Sequence, residues 1–360
     1  MSNRWLSFRL EFLGGLLILA TALNTVIHKG SIDPATAGVS LSYALQITAQ
    51  LNMLVRVVTE VEGMFNAVER IQEYMDLPAE PPHEGPQTPP NWPDKGEVEI
   101  NDLVMSYVPH MPPVLRGLTL KIKPSEKVGV VGRTGDGKSS LFQALFRMME
   151  PTSGSMKFDG IDLTGLGLND VRKAISIIPQ EPVLFSGSLR FNLDPFDEHN
   201  DVDIWSALDK ASLKRLLIAK GQDLSMEIVE GGENFSVGQR QLVCLARALL
   251  KKSKILVLDE ATANVDLETD ALIQKTIREN FHDRTTLTIA HRLNTIIDCD
   301  KILVLELGKA LEFDSPQNLL SIDSEFAAMV KDTGPENEAS LRAAALGDVS
   351  YLDKQCKERN

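Results

Sequence analysis

A glycine-rich loop between a predicted strand and a predicted helix constrains the fold of this chain more than any other feature. The run from Gly132 to Ser139 fits the pattern G-x-x-x-x-G-K-[ST] and follows the short apolar segment Val128 to Val131. Glycines let backbone N–H groups surround a phosphate, and the N-terminus of the following helix adds positive potential. The sequence therefore predicts an α/β fold of the P-loop NTPase type with a nucleotide-phosphate site.

Two side chains of the loop have predicted roles in binding the phosphates and their metal ion. Lys138 is predicted to reach the β- and γ-phosphates, and Ser139 to place its hydroxyl on Mg²⁺. Asp136 is unexpected, because a carboxylate beside a triphosphate is repulsive unless it points to solvent. The predicted nucleotide loop comprises Gly132, Arg133, Thr134, Gly135, Asp136, Gly137, Lys138, Ser139 and Ser140.

A pair of carboxylates follows a second apolar segment, Ile255 to Leu258, which is typical of a parallel strand covered on both faces. Asp259 is predicted to hold Mg²⁺, directly or through water. Glu260 is the predicted base that polarises the attacking water. His291 follows a third apolar segment, Thr286 to Ala290, and its spacing from Glu260 suits a contact with the γ-phosphate.

Composition and charge exclude several classes of protein. A hydrophobic content of 43% and a charged content of 24% describe an ordinary globular chain. A net charge of −13 argues against nucleic acid as a partner, because a nucleic-acid binder needs a basic face. Cys244, Cys299 and Cys356 show no C-x-x-C spacing, so they fit neither a disulfide framework nor a zinc site and indicate a reducing compartment. Glu11 precedes the first apolar stretch, which is unlike a secretory signal.

The N-terminal region contains two candidate membrane spans. Phe12 to Ile27 is an apolar run without charge, and residues from Leu10 extend it towards the roughly 20 residues that a spanning helix needs. Ala35 to Val58 is more polar and carries Arg56. Hydropathy leaves two interpretations open: spans at about residues 10–28 and 35–58, or a buried helical hairpin of a soluble protein.

Four segments are predicted along the chain. Helical character continues past the second candidate span to about Asp76, and the next stretch is too rich in proline to be helical. From Gly96 onward, apolar strand patterns alternate with helical ones. The predicted boundaries are 1–76 for a partial transmembrane domain, 77–95 for a linker, 96–332 for a nucleotide-binding domain, and 333–360 for a polar tail that forms a loose helix or is disordered.

Further motifs resemble those of the ATP-binding-cassette (ABC) transporters. The run Phe-Ser-Val-Gly-Gln-Arg-Gln that begins at Phe235 looks like the signature of that family. The runs Ile-Pro-Gln-Glu-Pro at Ile178 and Ala-Thr-Ala-Asn-Val-Asp at Ala261 resemble the multidrug-resistance-associated, or C, subfamily and in particular its second nucleotide-binding domain. The resemblance covers Gly96 to about Lys331, and Arg4 to Glu11 resembles the opening of the last two membrane helices before that domain.

This resemblance implies the rest of the architecture and two further contacts with the nucleotide. It implies an ABC nucleotide-binding domain with a mixed sheet core, an antiparallel β edge and a helical signature subdomain, preceded by a two-helix transmembrane segment. Tyr107 matches the aromatic residue that stacks on adenine. Gln180 matches the loop residue that touches Mg²⁺ and the membrane domain, so it is grouped with the catalytic residues.

The resemblance also implies residues that act on a second copy of the site. Ser236 and Gly238, with Gln239 beside them, are expected to bind an ATP held by the opposite nucleotide-binding domain. Asp266 is expected to cross the same interface. The chain offers fewer membrane helices than an exporter half of this family, so we expect the C-terminal piece of a larger transporter, a split-gene subunit or an incomplete gene model.

Three functions are compatible with these motifs. The first is the ATPase module of an exporter that drives efflux of amphipathic or organic-anion compounds, with the other transporter half and the lipid bilayer as partners and ATP and Mg²⁺ as cofactors. The second is a regulatory membrane subunit in which nucleotide binding gates a partner channel. The third is a fragment that binds ATP without transport. All three imply an integral membrane protein with a cytoplasmic nucleotide-binding domain, and the plasma and vacuolar membranes remain alternatives.

Overall fold

The computed structural model describes residues 2–108, 110–260, 265–290 and 292–347. The chain forms two compact units, with the boundary between Glu80 and Pro81. The helices are α1 Ser2–Ile27, α2 Pro34–Met75, α3 Lys138–Leu145, α4 Leu168–Ala174, α5 Leu189–Leu193, α6 Asp201–Lys210, α7 Lys214–Ala219, α8 Val237–Leu250, α9 Leu267–Asn280, α10 Pro316–Ser321, α11 Glu325–Asp332 and α12 Pro335–Ala345. The strands are β1 Val98–Met105, β2 Leu115–Ile122, β3 Lys127–Val131, β4 Ser153–Phe158, β5 Ile161–Asp162, β6 Ile175–Ile178, β7 Gly187–Ser188, β8 Glu227–Ile228, β9 Ile255–Asp259, β10 Thr285–Ile289, β11 Lys301–Glu306 and β12 Lys309–Asp314.

The first unit is built from the two long helices α1 and α2, which pack against each other. Among the described helices, α1 alone is both long enough and apolar enough to cross a membrane, over Phe8–Ile27. Large apolar side chains such as Phe12, Leu19 and Val39 are more than half exposed, whereas those of a soluble core helix are buried. The predicted helix from about residue 35 to 76 is confirmed by α2, but its more polar composition leaves the second span a prediction.

The second unit is organised around two main sheets. An antiparallel sheet has the strand order β2-β1-β4-β5, and a six-stranded sheet has the order β12-β11-β3-β10-β9-β6. In the larger sheet β6, β9, β10, β3 and β11 run parallel, and β12 is an antiparallel edge strand. The predicted α/β fold with a mixed sheet and an antiparallel β edge is therefore confirmed.

The register of the larger sheet decides which side chains meet at its carboxyl edge. Ile289 of β10 lies opposite Val130 of β3 on one side and Asp259 of β9 on the other. Ile178, the last residue of β6, lies opposite Leu258. Loops that leave β3, β9, β10 and β6 therefore begin side by side, as expected for parallel strands.

Three hydrophobic clusters surround the larger sheet. The first lies between the two sheets and includes buried side chains of α3. The second, called here the helical cluster, packs α5 to α9 on the other face, and Leu245, Ile273 and Phe281 are among its fully buried members. The third, called the C-terminal cluster, packs Ile296 and Phe326 with α10 to α12 on the same face. The helical cluster corresponds to the predicted signature subdomain.

The structure adds detail on the proline-rich stretch, the helix after the glycine loop and the C-terminal tail. The proline-rich stretch is not helical, as predicted, but the part from Pro82 onward is held on this unit: Leu168 donates its backbone N–H to Pro82 O at 3.1 Å, and the Trp92 indole donates to Phe158 O at 3.0 Å. The helix after the glycine loop ends at Leu145. The tail contains a packed helix, α12, whereas residues 348–360 lie outside the described part.

Candidate nucleotide-binding site

The glycine loop leaves β3 and enters α3, which is the position that the sequence predicts. Gly132 has φ 154° and Gly137, the N-cap of α3, has φ 96°. A Cβ atom at Gly132 would lie 2.5 Å from the backbone oxygen of Leu305, so a side chain there has no room. Glycine at these two positions lets the loop fold tightly against β11 and start the helix in a left-handed conformation.

Lys138 occupies the centre of the loop. Its Nζ donates to Gly132 O at 2.6 Å and to Arg133 O at 2.8 Å, and its side chain is 7% exposed. Burial lowers the pKa of Lys138, while the negative charges of Asp136 and Glu260 act in the opposite direction. The ammonium group is therefore held inside the loop that the sequence assigns to phosphates, within electrostatic range of the predicted base.

Asp136 turns inward, which corrects the expectation that its carboxylate must face solvent. The side chain is 8% exposed and accepts the backbone N–H groups of Arg133, at 2.5 Å, and Leu307, at 3.1 Å. Gly308 also donates its N–H to the backbone oxygen of Asp136. The carboxylate thus fastens the glycine loop to the turn between β11 and β12. Two backbone donors stabilise its negative charge in this position.

Tyr107 lies beside the start of α3. Its hydroxyl shares a hydrogen bond of 2.8 Å with Ser140 Oγ, and 43% of its surface is exposed. This bond fixes the ring next to the glycine loop with a face available to a planar ligand. Ser139 is exposed at the same helix turn, as are Arg133 and Thr134 of the loop. The assignment of these residues to adenine, metal and phosphates stays a prediction.

Gln180 and Glu260 meet at the carboxyl edge of the larger sheet. Gln180 follows β6 and donates its Nε2 to Glu260 Oε2 at 3.0 Å. Asp259 is the last residue of β9, directly before Glu260. The structure therefore brings the predicted base and the predicted metal-contacting glutamine together from loops that are 80 residues apart in sequence. His291, the remaining predicted catalytic residue, lies outside the described residues.

The backbone at Glu260 is strained. Its φ is 44°, in the left-handed region that non-glycine residues rarely adopt, and its N–H donates to Ile289 O at 3.1 Å. Strain of this kind persists where the surroundings over-determine it, and it clusters at functional sites.

The signature residues form a separate group at the start of α8. Ser236 Oγ accepts the N–H of Gln239 and the Gln239 side chain accepts the N–H of Ser236, which is a capping box. Gly238 packs against Thr269 of α9, so closely that a Cβ atom would lie 2.9 Å from Thr269 Cγ2. Asp266 caps α9 by accepting the Thr269 N–H at 3.0 Å. Ser236 and Gln239 thus bond each other, and their group with Asp266 forms a second surface beside the helical cluster.

One buried contact was not predicted from the sequence. Gln241 is 1% exposed and donates its Nε2 to Pro179 O at 2.9 Å, directly before Gln180. The residue is the last of the signature run and lies on α8, so the bond joins the signature helix to the loop that carries Gln180. A glutamine on the apolar face of a predicted helix is the sequence signal that could have identified it.

Comparisons with known proteins agree with this geometry. Residues 115–263 match the family model "ABC transporter". The chain is 53% identical over 337 residues to mouse "ATP-binding cassette sub-family C member 2" and 50% identical over 336 residues to human "ATP-binding cassette sub-family C member 3". Each alignment covers 93% of this chain and 22% of the relative. The chain belongs to the C subfamily of the ABC transporters.

A solved structure supports the same family and fold. The structure titled "Structure of a bacterial Atm1-family ABC exporter with ATP bound" aligns with a TM-score of 0.69 and 29% sequence identity, covering 92% of this chain and 58% of that chain. This ABC transporter chain therefore carries the nucleotide-binding module of its family. It spans about a fifth of the length of the curated relatives it matches.

Proposed function

We propose that the chain is the ATP-binding and ATP-hydrolysing module of a membrane exporter. The observation that carries the proposal is the convergence of three predicted groups: Lys138 lies within the glycine loop, Glu260 acts on it electrostatically, and Gln180 bonds Glu260. A phosphate bound at the loop would lie between the buried ammonium group of Lys138 and the partly exposed carboxylate of Glu260. That arrangement suits attack by water on a terminal phosphoryl group.

Oxygen donors at this edge fit Mg²⁺, which prefers carboxylate, hydroxyl and phosphate oxygens. Ser139 is exposed on the first turn of α3, and Asp259 is partly exposed at the end of β9. With the side-chain oxygen of Gln180, these residues would hold the ion. When bound, the ion would neutralise charge on the phosphates. Glu260 would accept a proton from the attacking water, and Lys138 would stabilise charge on the phosphate oxygens.

A second nucleotide-binding domain would complete the site. The exposed hydroxyl of Ser236 and the N-terminus of α8 belong to a surface distinct from the glycine loop, which suits binding to an ATP held by another domain. Gln239 and Asp266 lie at the same surface, and Gly238 is buried between them, packed against Thr269. ATP would then join two domains, and hydrolysis would release them.

The N-terminal unit supports placement in a membrane. The apolar side chains of α1 are uncovered, which is the state that lipid rather than water favours. We propose that α1 and the first half of α2 cross the bilayer, with the nucleotide-binding unit in the cytoplasm. The other half of a transporter would supply the remaining helices. A small amphipathic or organic-anion compound is the proposed substrate, on the basis of the similarity to C-subfamily members.

Substitution Glu260→Gln in the full chain tests the proposal. The amide keeps the side-chain shape but cannot accept a proton, so we expect unchanged ATP affinity and hydrolysis reduced by at least roughly a hundredfold. Glu230→Gln, at an exposed position away from the sheet edge, is the matched control and should leave both values unchanged. Hydrolysis of [γ-³²P]ATP and binding of a fluorescent ATP analogue give the two readouts. Normal hydrolysis by Glu260→Gln contradicts the assigned base.

A concentration series separates the exporter module from the alternatives. Because a second domain completes the site, the specific activity of the chain should rise steeply with protein concentration. A specific activity that does not change with concentration contradicts the shared site. Tight ATP binding without hydrolysis at any concentration would instead support a nucleotide-sensing subunit.

A further inference from the structure

A cavity of about 250 Å³ lies on the face of the larger sheet that is turned away from α3. It occupies the seam between the helical cluster and the C-terminal cluster. Leu258 of β9, Ile277 of α9 and Phe281, the residue that follows α9, form an apolar wall. The central strand β10 contributes Thr286 and Thr288, because alternate residues of a strand share one face. The cavity is therefore apolar on one side and hydroxyl-lined on the other.

Two threonines of β10 contribute hydroxyl groups to the cavity. Thr286 is 4% exposed and Thr288 is 8% exposed. Within the part of the chain that the structure describes, neither hydroxyl takes part in a hydrogen bond with another residue. Both residues line the cavity, so their hydroxyls are available to hydrogen-bond with polar atoms of an occupant.

The arginines that line the cavity are already neutralised. Arg278 Nε lies 2.8 Å from a carboxylate oxygen of Asp298. Arg292 Nη1 lies 3.5 Å from a carboxylate oxygen of Asp270. Each guanidinium group is therefore paired with a carboxylate of the protein, and its charge is balanced without a bound anion.

Lys127 differs from these arginines. It is partly buried, lines the cavity and lies opposite Thr286 in the register of β3 and β10, so the two side chains are neighbours on the same face. Its backbone N–H donates to Asp300 Oδ2, but its ammonium group forms no ion pair with any residue in the described ranges. Cys299, also at the cavity, does not supply the missing charge, because burial raises the pKa of its thiol and keeps it neutral.

We propose that this cavity is a binding site for a small organic monoanion of the aromatic carboxylate class. The carboxylate would contact the ammonium group of Lys127 and the hydroxyl of Thr286, and the ring would pack against Ile277 and Phe281. The volume suits a bicyclic ring, since a cavity of roughly 150 Å³ accepts a single benzene ring. The far end of the cavity is lined by Glu260, so the occupant lies behind the sheet edge that carries the predicted base. Nothing in this site is shared with the glycine loop.

Binding of 2-naphthoate to the full chain in lipid nanodiscs tests this site. A non-hydrolysable ATP analogue is kept at saturation, so that the nucleotide site is not available to the probe. We expect saturable binding, which ligand-observed NMR can follow, and at least a tenfold loss of affinity in Lys127→Met, since a charge-assisted contact is removed. Thr286→Val, which keeps the side-chain shape, should lower the affinity by severalfold.

Matched controls distinguish the site from adsorption to lipid or to other basic residues. Lys210→Met removes an exposed lysine from α6 and should leave naphthoate binding unchanged. The neutral analogue 2-naphthamide should bind more weakly than naphthoate and should be insensitive to Lys127→Met. Equal affinity of the Lys127 variant and the wild-type chain for naphthoate overturns the proposal. Absence of saturable naphthoate binding in the presence of the ATP analogue also overturns it.

Discussion

The left-handed backbone at Glu260 gives a prediction about stability that is independent of catalysis. Glu260→Ala and Glu260→Gly both remove the carboxylate and its bond to Gln180, and they differ in the Cβ atom alone. At φ 44° the Cβ atom is strained, whereas glycine adopts this conformation freely. We therefore expect the glycine variant to be the more stable of the two.

The size of the difference follows from two opposing contributions. A non-glycine residue in the left-handed region costs about 1–2 kcal/mol. Glycine costs roughly 0.5–1 kcal/mol through the greater conformational freedom of the unfolded chain. The net advantage of Glu260→Gly over Glu260→Ala is about 1 kcal/mol. For a unit of this size, that energy corresponds to a rise in the unfolding temperature of roughly 2 °C.

Thermal unfolding of the nucleotide-free variants, followed by tryptophan fluorescence, measures this difference. The pair Lys275→Ala and Lys275→Gly is the matched control, because Lys275 lies within α9 and is exposed. There the alanine variant should be the more stable by about 1 kcal/mol, as in any helix interior. The two pairs should therefore differ in sign.

An alanine variant of Glu260 that unfolds at a higher temperature than the glycine variant would refute the reasoning. That result would mean that the left-handed conformation is not strained at this position, or that the chain relaxes when the carboxylate is removed. ATP hydrolysis should be lost in both variants, so activity does not bear on the comparison.

Two further predictions concern the glycine loop and the turn that supports it. Lys138→Met should weaken ATP binding at least tenfold, because it removes a charge-assisted contact of about 1.5–3 kcal/mol. Titration with a fluorescent ATP analogue measures the change, and an unchanged affinity would contradict the assignment of Lys138 to the phosphates. Gly308→Ala should lower the unfolding temperature more than Gly160→Ala. The two glycines have φ of 81° and 78°, but a Cβ atom at Gly308 would lie 1.9 Å from Val114 O, whereas Gly160 has open space. Equal shifts in the unfolding temperature would show that the backbone around Val114 moves to accommodate the added Cβ atom without loss of stability.

The position of the candidate site could be predicted because its determinants are local. A short apolar strand, a glycine run and a helix start fix the loop around Lys138 within a few residues. Asp259 and Glu260 follow a continuous apolar strand, and parallel strands place such residues at one sheet edge. The contact between Gln180 and Glu260 follows from the same edge once β6 and β9 are neighbours.

Other features could not be predicted, because they depend on pairs of residues that are distant in sequence. The direction of the Asp136 carboxylate depends on Leu307, which lies on a turn that only β11 and β12 bring to the loop. The bond between Gln241 and Pro179 depends on how α8 packs beside β6. No spacing rule relates such positions, so the sequence predicted neither contact.

The sequence by itself determined the fold class, the glycine loop and the order of the predicted catalytic residues, since each follows from hydrophobic period and short motifs. The tertiary structure alone decided which charges are paired. Lys127 and Thr286 are ordinary strand residues in the sequence, and they line a cavity only because two hydrophobic clusters cover the sheet on either side of β10. The periodicity of apolar residues determines which face of a strand is buried. Whether the side chains packed on that face fill the space completely or leave a cavity depends on the volumes of residues from distant segments.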